Sequence, residues 1–302
     1  MTARNTHISW TDSSWNPTTG CTPVSPGCKF CYAREITDRL FGGNFETVKL
    51  HPDRLPEGRS FRPVRDGAER RPRMVFVNSM SDLMHRDIPD AFRNAVFDVI
   101  DACPDTVFQV LTKRHQTLRR YIASRYRASG VPPHLWLGVS VEDAPRGVRL
   151  DELRRLKQDV GPFTAFASVE PLIGPLRGVS FADIDQVLLG GESGRNARTC
   201  IADHMRQGRD LALHAGAALW LKQWGTWQAN PLYAASTAGK HIDRVRDAIA
   251  AGERLARIEI GTDGKPRVAG EKGGATLDGE TFRSFPAAYA GLVARLQPLF
   301  SG

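Results

Sequence analysis

The sequence has few cysteines, five among 302 residues, and no long apolar run. A membrane-spanning helix needs roughly 18 apolar residues in succession, so we expect no membrane association. Residues 1–5 lack the apolar core of a secretory signal peptide, and sparse cysteine is typical of a reducing compartment. The sequence therefore predicts a cytoplasmic protein whose cysteines are not paired in disulfides.

Two common nucleotide-binding motifs are also missing from the sequence. No predicted strand is followed by Gly-x-Gly-x-x-Gly, the turn of dinucleotide-binding folds. The run Gly190-Gly191-Glu192-Ser193-Gly194 lacks the Gly-Lys-Ser/Thr ending of a P-loop. These absences count against an open, doubly wound sheet that binds a dinucleotide, which is the second choice of fold.

The charge of the chain is unbalanced. Lysine and arginine total 41 against 33 aspartates and glutamates, which gives a formal net charge of +8. Much of the excess lies in residues 54–73 and 113–127. A nucleic-acid partner would use such basicity, and an arginine-rich solvated surface explains it equally well.

Short apolar runs alternate with helical patterns along most of the chain. Continuous apolar strands separated by helices indicate a parallel sheet that is covered on both faces. We therefore predict an α/β fold, a partial (β/α) barrel of six or seven parallel strands, whose chemistry lies at the carboxyl ends of the strands. The predicted strands cover about residues 10–18, 74–77, 107–111, 135–139, 164–167, 186–189 and 218–221, and the predicted helices about 31–40, 89–102, 115–127, 146–157 and 203–215.

The pattern changes after about residue 225. We predict a barrel over residues 1–225, with an irregular arginine-rich insertion at about 41–72, and a small C-terminal appendage over 226–302. Within the appendage, Gly261-Thr262-Asp263-Gly264 predicts a hairpin turn, and a final helix is expected at about 286–299.

Cys21, Cys28 and Cys31 lie within eleven positions on a loop rich in proline and glycine. A disulfide would leave one of the three unpaired. Zinc and iron–sulfur clusters both favour thiolates, so the spacing does not choose between them. A closed zinc site needs a fourth ligand, and no histidine stands in a paired spacing. Three thiolates suit a 4Fe–4S cluster whose fourth iron is open to a ligand from outside the protein.

Phe30 directly precedes the last cysteine of this loop, and seven further runs stand at predicted strand ends. The runs are Trp15-Asn16-Pro17-Thr18-Thr19-Gly20-Cys21, Val77-Asn78-Ser79-Met80-Ser81-Asp82, Leu111-Thr112-Lys113-Arg114, Gly138-Val139-Ser140-Val141-Glu142, Ser168-Val169-Glu170-Pro171-Leu172, Gly190-Gly191-Glu192-Ser193-Gly194 and Lys222-Gln223-Trp224-Gly225.

The cysteine loop resembles that of radical S-adenosylmethionine enzymes, whose usual spacing is Cys-x3-Cys-x2-Cys, although the spacing here is Cys-x6-Cys-x2-Cys. The seven runs are similar to one phage-associated branch, named after bacteriophage gene products thirty-seven and sixty-eight. That branch is also described as a domain of unknown function and occurs beside a three-Cys-motif partner protein. A more distant likeness to spore photoproduct lyase makes DNA-directed chemistry a candidate.

The resemblance implies an enzyme with two cofactors, a 4Fe–4S cluster on Cys21, Cys28 and Cys31, and S-adenosylmethionine. An external electron donor would reduce the cluster, and cleavage of S-adenosylmethionine would give a 5′-deoxyadenosyl radical that abstracts hydrogen from the substrate. A nucleic acid or nucleotide is the candidate substrate, and the three-Cys-motif protein is a candidate partner. The alternative is a non-enzymatic nucleic-acid-binding protein with a structural zinc on the cysteine loop.

The resemblance also implies roles for residues at the strand ends. The cofactor-binding set, in chain order, is Phe30 and Tyr32 against the adenine, Asn78 and Ser79 for the methionine amino group, Lys113 for the methionine carboxylate, Ser140 and Glu142 for the ribose hydroxyls, and Gly190 and Gly191. The catalytic or substrate-binding set is Arg114, Glu170, Glu192 and Lys222, with Arg114 a second candidate for the carboxylate. The alternative for each polar group is a solvated loop or a helix cap.

Overall fold

The computed structural model describes residues 3–67, 69–193, 197–198, 200–225, 258–260, 266–268 and 275–297. Its centre is a sheet of seven strands, all parallel, which curls into a half-barrel. The strands neighbour one another in chain order, from β1 at one edge to β7 at the other. They are β1 (Ser13–Trp15), β2 (Arg73–Val77), β3 (Thr106–Thr112), β4 (Leu135–Ser140), β5 (Ala165–Val169), β6 (Gln186–Gly190) and β7 (Ala218–Gln223).

Helices connect most of these strands and cover the convex face of the sheet. Val75 and Val77 of β2 pack in the same large cluster as Phe97, Ile122 and Leu153, which come from three helices. The helices are α1 (Tyr32–Phe41), α2 (Leu55–Gly58), α3 (Asp90–Asp101), α4 (His115–Tyr126), α5 (Val148–Val160), α6 (Ala202–His214) and α7 (Ala287–Ala294).

The concave face is apolar near the amino ends of the strands and polar near their carboxyl ends. A second cluster fills the apolar part and includes Met74 and Phe76 of β2, Trp136 of β4, and Tyr289 and Leu292 of α7. The hydroxyl of Tyr289 donates to the carbonyl of Pro72, just before β2. Helix α7 therefore closes the amino end of the half-barrel and leaves the carboxyl end for a site.

The insertion at 41–72 contains more regular structure than we predicted. Val64–Asp66 and Glu69–Arg71 form a short antiparallel hairpin just before β2, and Lys49–Leu50 pairs with Thr18–Thr19. The expectation of an irregular insertion was wrong for these segments. These segments contain few apolar residues, so the sequence shows no alternation that would predict a strand. The structure nevertheless pairs their backbones.

The C-terminal region contains two further antiparallel pairs. Ile258–Ile260 pairs with Pro266–Val268 as the hairpin prediction requires, while its turn lies outside the described residues. Thr276–Leu277 pairs with Glu280–Thr281. Helix α7 ends at Ala294, earlier than predicted. The division at residue 225 stays a prediction.

The predicted fold class is confirmed, and most predicted strands agree with the structure within two residues. The first strand is the exception, because only Ser13–Trp15 joins the sheet. Pro17 lacks the backbone N–H that would extend the ladder. In the part of the chain that the structure describes, no helix is both long and apolar enough to cross a membrane.

Candidate active site

A cavity of about 630 Å³ opens at the carboxyl ends of the strands. Carboxyl ends of parallel strands meet at one mouth of a curled sheet, which explains why residues far apart in the sequence converge here. Of the predicted site residues, Glu142 and Gly190 do not line the cavity. The predicted residues that do are Cys21, Cys28, Phe30, Cys31, Tyr32, Asn78, Ser79, Lys113, Arg114, Ser140, Glu170, Gly191, Glu192 and Lys222.

The cysteine loop, residues 21–31, runs from the first strand region to α1. Gly20 directly precedes the loop, and its backbone pairs with that of Ser81, which lies beyond the end of β2. Gly20 has a positive φ of 89°, and a Cβ there would lie 2.1 Å from the carbonyl oxygen of Thr47. Only glycine fits this position. The three cysteine side chains are partly exposed, as thiolates that bind a group inside the cavity must be.

Arg114 holds the first part of the cysteine loop. Its Nη2 donates to the carbonyl and to the hydroxyl of Thr22, both at 3.0 Å, and its Nη1 lies 3.6 Å from Cys21 Sγ. Asp82 accepts from Arg114 Nη1 at 3.2 Å and from the hydroxyl of Thr112 at 2.6 Å. The Arg114 guanidinium is therefore fixed in place and offers positive charge to a thiolate.

Burial raises the pKa of Cys21 to about 12 in the metal-free chain. The charge of Asp82 also raises this pKa, and Arg114 opposes both effects. A bound metal ion deprotonates a coordinating thiol outright, so the raised pKa describes the thiol before any metal binds.

Glu142 lies behind the cavity wall rather than on it, with its side chain fully buried. Its Oε1 accepts from the hydroxyl of Ser25 at 2.6 Å, and its Oε2 accepts from Arg149 Nη1 at 2.9 Å. Lys113 Nζ lies 3.8 Å from Oε1. The loop backbone at Gly27 packs directly on this side chain. In this structure Glu142 contacts the cysteine loop, and its implied role toward a ribose stays a prediction.

Glu192 and Arg198 form a further contact with the loop. Arg198 Nη2 donates to Glu192 Oε1 at 2.5 Å and to the carbonyl of Pro26 at 3.1 Å. The same guanidinium lies 5.4 Å from the centre of the Phe30 ring, within cation–π distance. The end of β6 is thus linked to the middle and the end of the cysteine loop.

Asn78 carries an unused hydrogen-bond acceptor at the cavity. Its Nδ2 donates to the hydroxyl of Thr18 at 2.7 Å and to the hydroxyl of Ser81. Its buried Oδ1 finds no donor among the described residues. A buried acceptor without a partner is costly, so this atom fits a ligand that brings an N–H group. Nearby, the hydroxyl of Tyr32 donates to the carbonyl of Ser79 at 2.7 Å.

Glu170 and Lys222 form an ion pair in the cavity wall. Lys222 Nζ lies 2.5 Å from Glu170 Oε1, which also accepts from Gln223 Nε2 at 3.2 Å. Both charged side chains are less than a fifth exposed, at 18% for Glu170 and 14% for Lys222. The pair gives the cavity one donor and one acceptor that the cysteine loop does not use.

A family model described as a protein of unknown function (DUF5131) matches residues 5–286. The chain belongs to this family. No curated protein sequence matches the chain. The phage association of the motif resemblance stays a prediction.

Solved structures of spore photoproduct lyase align with this DUF5131 chain at low similarity. The complex of that lyase with a dinucleoside spore photoproduct gives a TM-score of 0.41 at 10% identity, covering 68% of this chain and 62% of the lyase chain. A tyrosine-to-phenylalanine mutant of the lyase gives 0.42 at 11% identity, covering 87% and 69%. In the first alignment, this chain therefore spans less than two thirds of the lyase's length.

Three polar residues of this DUF5131 chain that matter to the site were not assigned a role from the sequence. Asp82 stands in one of the seven runs, where a helix cap is the alternative for its carboxylate. Arg149 and Arg198 gave no signal, since an arginine on a predicted helix or loop is normally solvated. Their partners in the structure are Glu142 and Glu192, two carboxylates that need a cation nearby when they are buried.

Proposed function

We propose that this chain is an enzyme that binds a 4Fe–4S cluster on Cys21, Cys28 and Cys31 and cleaves S-adenosylmethionine reductively in the adjoining cavity. One observation carries the proposal: the three thiols open onto the same 630 Å³ cavity as the unused acceptor of Asn78. Cofactor sites usually have volumes of roughly 300–1,000 Å³ and a few convergent polar groups.

The number of thiols suits a cluster better than a structural zinc. A structural zinc needs four ligands that converge on one ion at roughly 2.0–2.3 Å. Across the described ranges, no group of three or more His, Cys, Asp or Glu side chains is arranged to hold a metal ion, so the preference rests on the number of thiols. In a 4Fe–4S cluster, three thiolates can each bind a different iron, so they need to surround a space rather than a point. When bound, the cluster supplies the electron for cleavage, which it takes from an external donor.

The cavity also has groups that complement S-adenosylmethionine. Asn78 Oδ1 would accept from the methionine ammonium group, and Phe30 and Tyr32 would provide aromatic surface for the adenine. Arg114 is committed to Thr22 and Asp82, whereas Lys113 Nζ donates to the hydroxyl of Ser140 at 3.1 Å and lies 3.8 Å from Glu142 Oε1, a looser ion pair. Lys113 is therefore the better partner for the methionine carboxylate.

The remaining polar groups of the cavity would contact the substrate. Glu170 and Lys222 are paired with each other and can exchange that contact for a polar group of a ligand. The apolar floor of Trp10, Phe76 and Leu111 limits the access of water from below. Together these groups would hold a substrate beside the cofactor in a partly dry site.

Anaerobic reconstitution with iron and sulfide tests the cluster. The wild-type chain should turn brown and hold about four irons. Cys28→Ala should lose the cluster and keep its fold by circular dichroism, because the half-barrel core does not include Cys28. Cys103→Ala is the matched control, since Cys103 is a free thiol near Gly58 and away from the cavity.

Incubation of the reconstituted protein with a reductant and S-adenosylmethionine tests the reaction. We expect release of 5′-deoxyadenosine and methionine by the wild type and by Cys103→Ala. Purified protein that holds one zinc per chain and yields no 5′-deoxyadenosine would contradict the proposal. Retained cleavage in Cys28→Ala would contradict the ligand assignment.

A further inference from the structure

We infer that Glu142 is a positioning residue that fixes the cysteine loop in the geometry needed to hold the cluster, through a hydrogen bond from Ser25. The inference rests on the proposed function for the cluster, whereas the contact between Ser25 and Glu142 does not.

The bond from Ser25 reaches the centre of the loop. Ser25 lies between Cys21 and Cys28, and its hydroxyl donates to Glu142 Oε1 at 2.6 Å. The hydroxyl oxygen of Ser25 also lies 3.8 Å from Cys28 Sγ. One hydroxyl therefore links the buried carboxylate to the immediate surroundings of a cluster ligand. The bond has a charged acceptor, which makes it one of the stronger types of hydrogen bond.

Arg149 fixes the direction of the Glu142 carboxylate. Its Nη1 donates to Glu142 Oε2 at 2.9 Å and to the carbonyl of Ser140 at 2.7 Å. Both side chains are buried, with Glu142 at 0% and Arg149 at 5% exposure. A buried carboxylate needs such a partner, because an unpaired charge in the interior is strongly destabilising. With Oε2 held by Arg149, Oε1 is left directed at Ser25.

The loop backbone also packs against Glu142. A Cβ at Gly27 would lie 2.5 Å from Glu142 Cγ, closer than real Cβ contacts occur. Gly27 thus brings the chain next to the carboxylate side chain between Ser25 and Cys28. The loop is held here by a hydrogen bond and by close packing at the same point.

The need for such a contact follows from the length of the loop. Six residues separate Cys21 from Cys28, and each ordered residue costs conformational entropy. Arg114 holds the loop at Thr22 and Arg198 holds it at Pro26. Glu142 is the fully buried one of the three residues that hold the loop, and it joins the loop to the end of β4.

Ser25→Ala is the most direct test, because it removes the bond and leaves the buried Glu142–Arg149 pair intact. In the metal-free protein, amide hydrogen exchange of residues 22–28 should become about tenfold faster. After reconstitution, loss of iron to a chelator should also become about tenfold faster, with little change in the thermal midpoint. Ser129→Ala, at an exposed serine far from the cavity, should change neither rate.

Variants of Glu142 separate its charge from its contact. In Glu142→Gln the amide oxygen can accept from Arg149 and the amide nitrogen can donate to Ser25, but the charge that pairs with buried Arg149 is lost, so the rates should lie between those of the wild type and Glu142→Ala. Glu142→Ala should lose the contact and release iron faster. The double variant Ser25→Ala with Glu142→Ala should release iron no faster than Glu142→Ala, since Glu142→Ala already removes the acceptor of the Ser25 bond.

The outcomes distinguish this inference from the proposed function. Unchanged amide exchange in Ser25→Ala would overturn the tether whatever the cofactor. Faster exchange with unchanged iron loss would overturn its role toward the cluster. A wild-type chain that takes up no cluster would overturn the proposed function and the cluster role together, while the exchange rates would still decide whether the tether exists.

Discussion

Gly27 shows how closely a single residue of the cysteine loop is fitted to its surroundings. Its missing side chain is replaced by the Cγ and Oε1 atoms of Glu142, which would lie 2.5 and 2.6 Å from a Cβ. Glu142 cannot move aside easily, because Arg149 and Ser25 both hold it. The loop at this point therefore has no room for even one methyl group.

Gly27→Ala should displace the loop and reduce stability and, under the proposed function, cluster retention. Overpacking a buried position costs about 1–3 kcal/mol, so we expect the free energy of unfolding to fall by that amount in urea denaturation of the metal-free protein. Iron content after reconstitution should also drop. Gly291→Ala in α7 is the control, because a Cβ there meets nothing within 4 Å. Alanine favours a helix by up to about 1 kcal/mol over glycine, so the control should be equally or more stable.

At the scale of the elements, β4 and β5 approach each other through a glycine as well. Gly138 of β4 stands opposite Phe166 of β5 in the parallel register. A Cβ on Gly138 would lie 2.4 Å from the ring of Phe166, which is fully buried on the concave face. The ring occupies the space that a larger residue at position 138 would need, next to Trp10.

Gly138→Ala should therefore destabilise the half-barrel by about 1–3 kcal/mol, measured by urea unfolding. Adding Phe166→Leu should restore part of the loss, because the shorter side chain makes room for the new methyl group. If Gly138→Ala is as stable as the wild type, or if adding Phe166→Leu restores no stability, the close approach of Gly138 to Phe166 does not restrict residue size at position 138.

The sequence predicted the sheet well because its strands are buried on both faces. Continuous apolar runs such as Met74–Val77 can be recognised without knowing what packs on them. Helix α7 was also predicted as a helix, but nothing in its local pattern shows that Tyr289 and Leu292 enter the half-barrel. That placement depends on tertiary packing, which a local window of sequence does not contain.

The site was predictable where polar residues follow strands, and it was not predictable where the partner comes from elsewhere. Glu170 and Lys222 both stand at strand ends, and both line the cavity. Glu142 also follows a strand, yet it lies behind the wall because Arg149 of α5 and Ser25 of the loop bind it there. Helical spacing shows which residues share a face, but not which loop will meet that face.

At the scale of the whole molecule, one group of exposed arginines is separated from the cavity. Arg59, Arg62, Arg65 and Arg70 are exposed, and none has a carboxylate partner within 4 Å among the described side chains. We call these four the basic face. They belong to the segment just before β2 and therefore lie toward the amino ends of the strands, whereas the cavity lies at the carboxyl ends.

Replacing all four arginines of the basic face with glutamine should weaken binding of a labelled single-stranded oligonucleotide at low salt. Each phosphate contact contributes about 0.7 to the slope of log K against log salt, so the slope should fall by about 3. Iron content after reconstitution should stay unchanged, because the face is remote from the cysteines. An unaltered slope would show that the anion contacts lie elsewhere on the chain.

The two outer strands of the sheet each have a covering segment. Ala3 exchanges two backbone hydrogen bonds of 2.9 Å with Ser14 of β1, and residues 282–284 bond to Leu219 and Leu221 of β7. Uncovered strand edges are templates for aggregation. Removing residues 1–5 would expose the edge of β1, and removing the residues after 275 would expose the edge of β7. Tags and fusion partners are therefore better attached through linkers to the full chain than placed by trimming it.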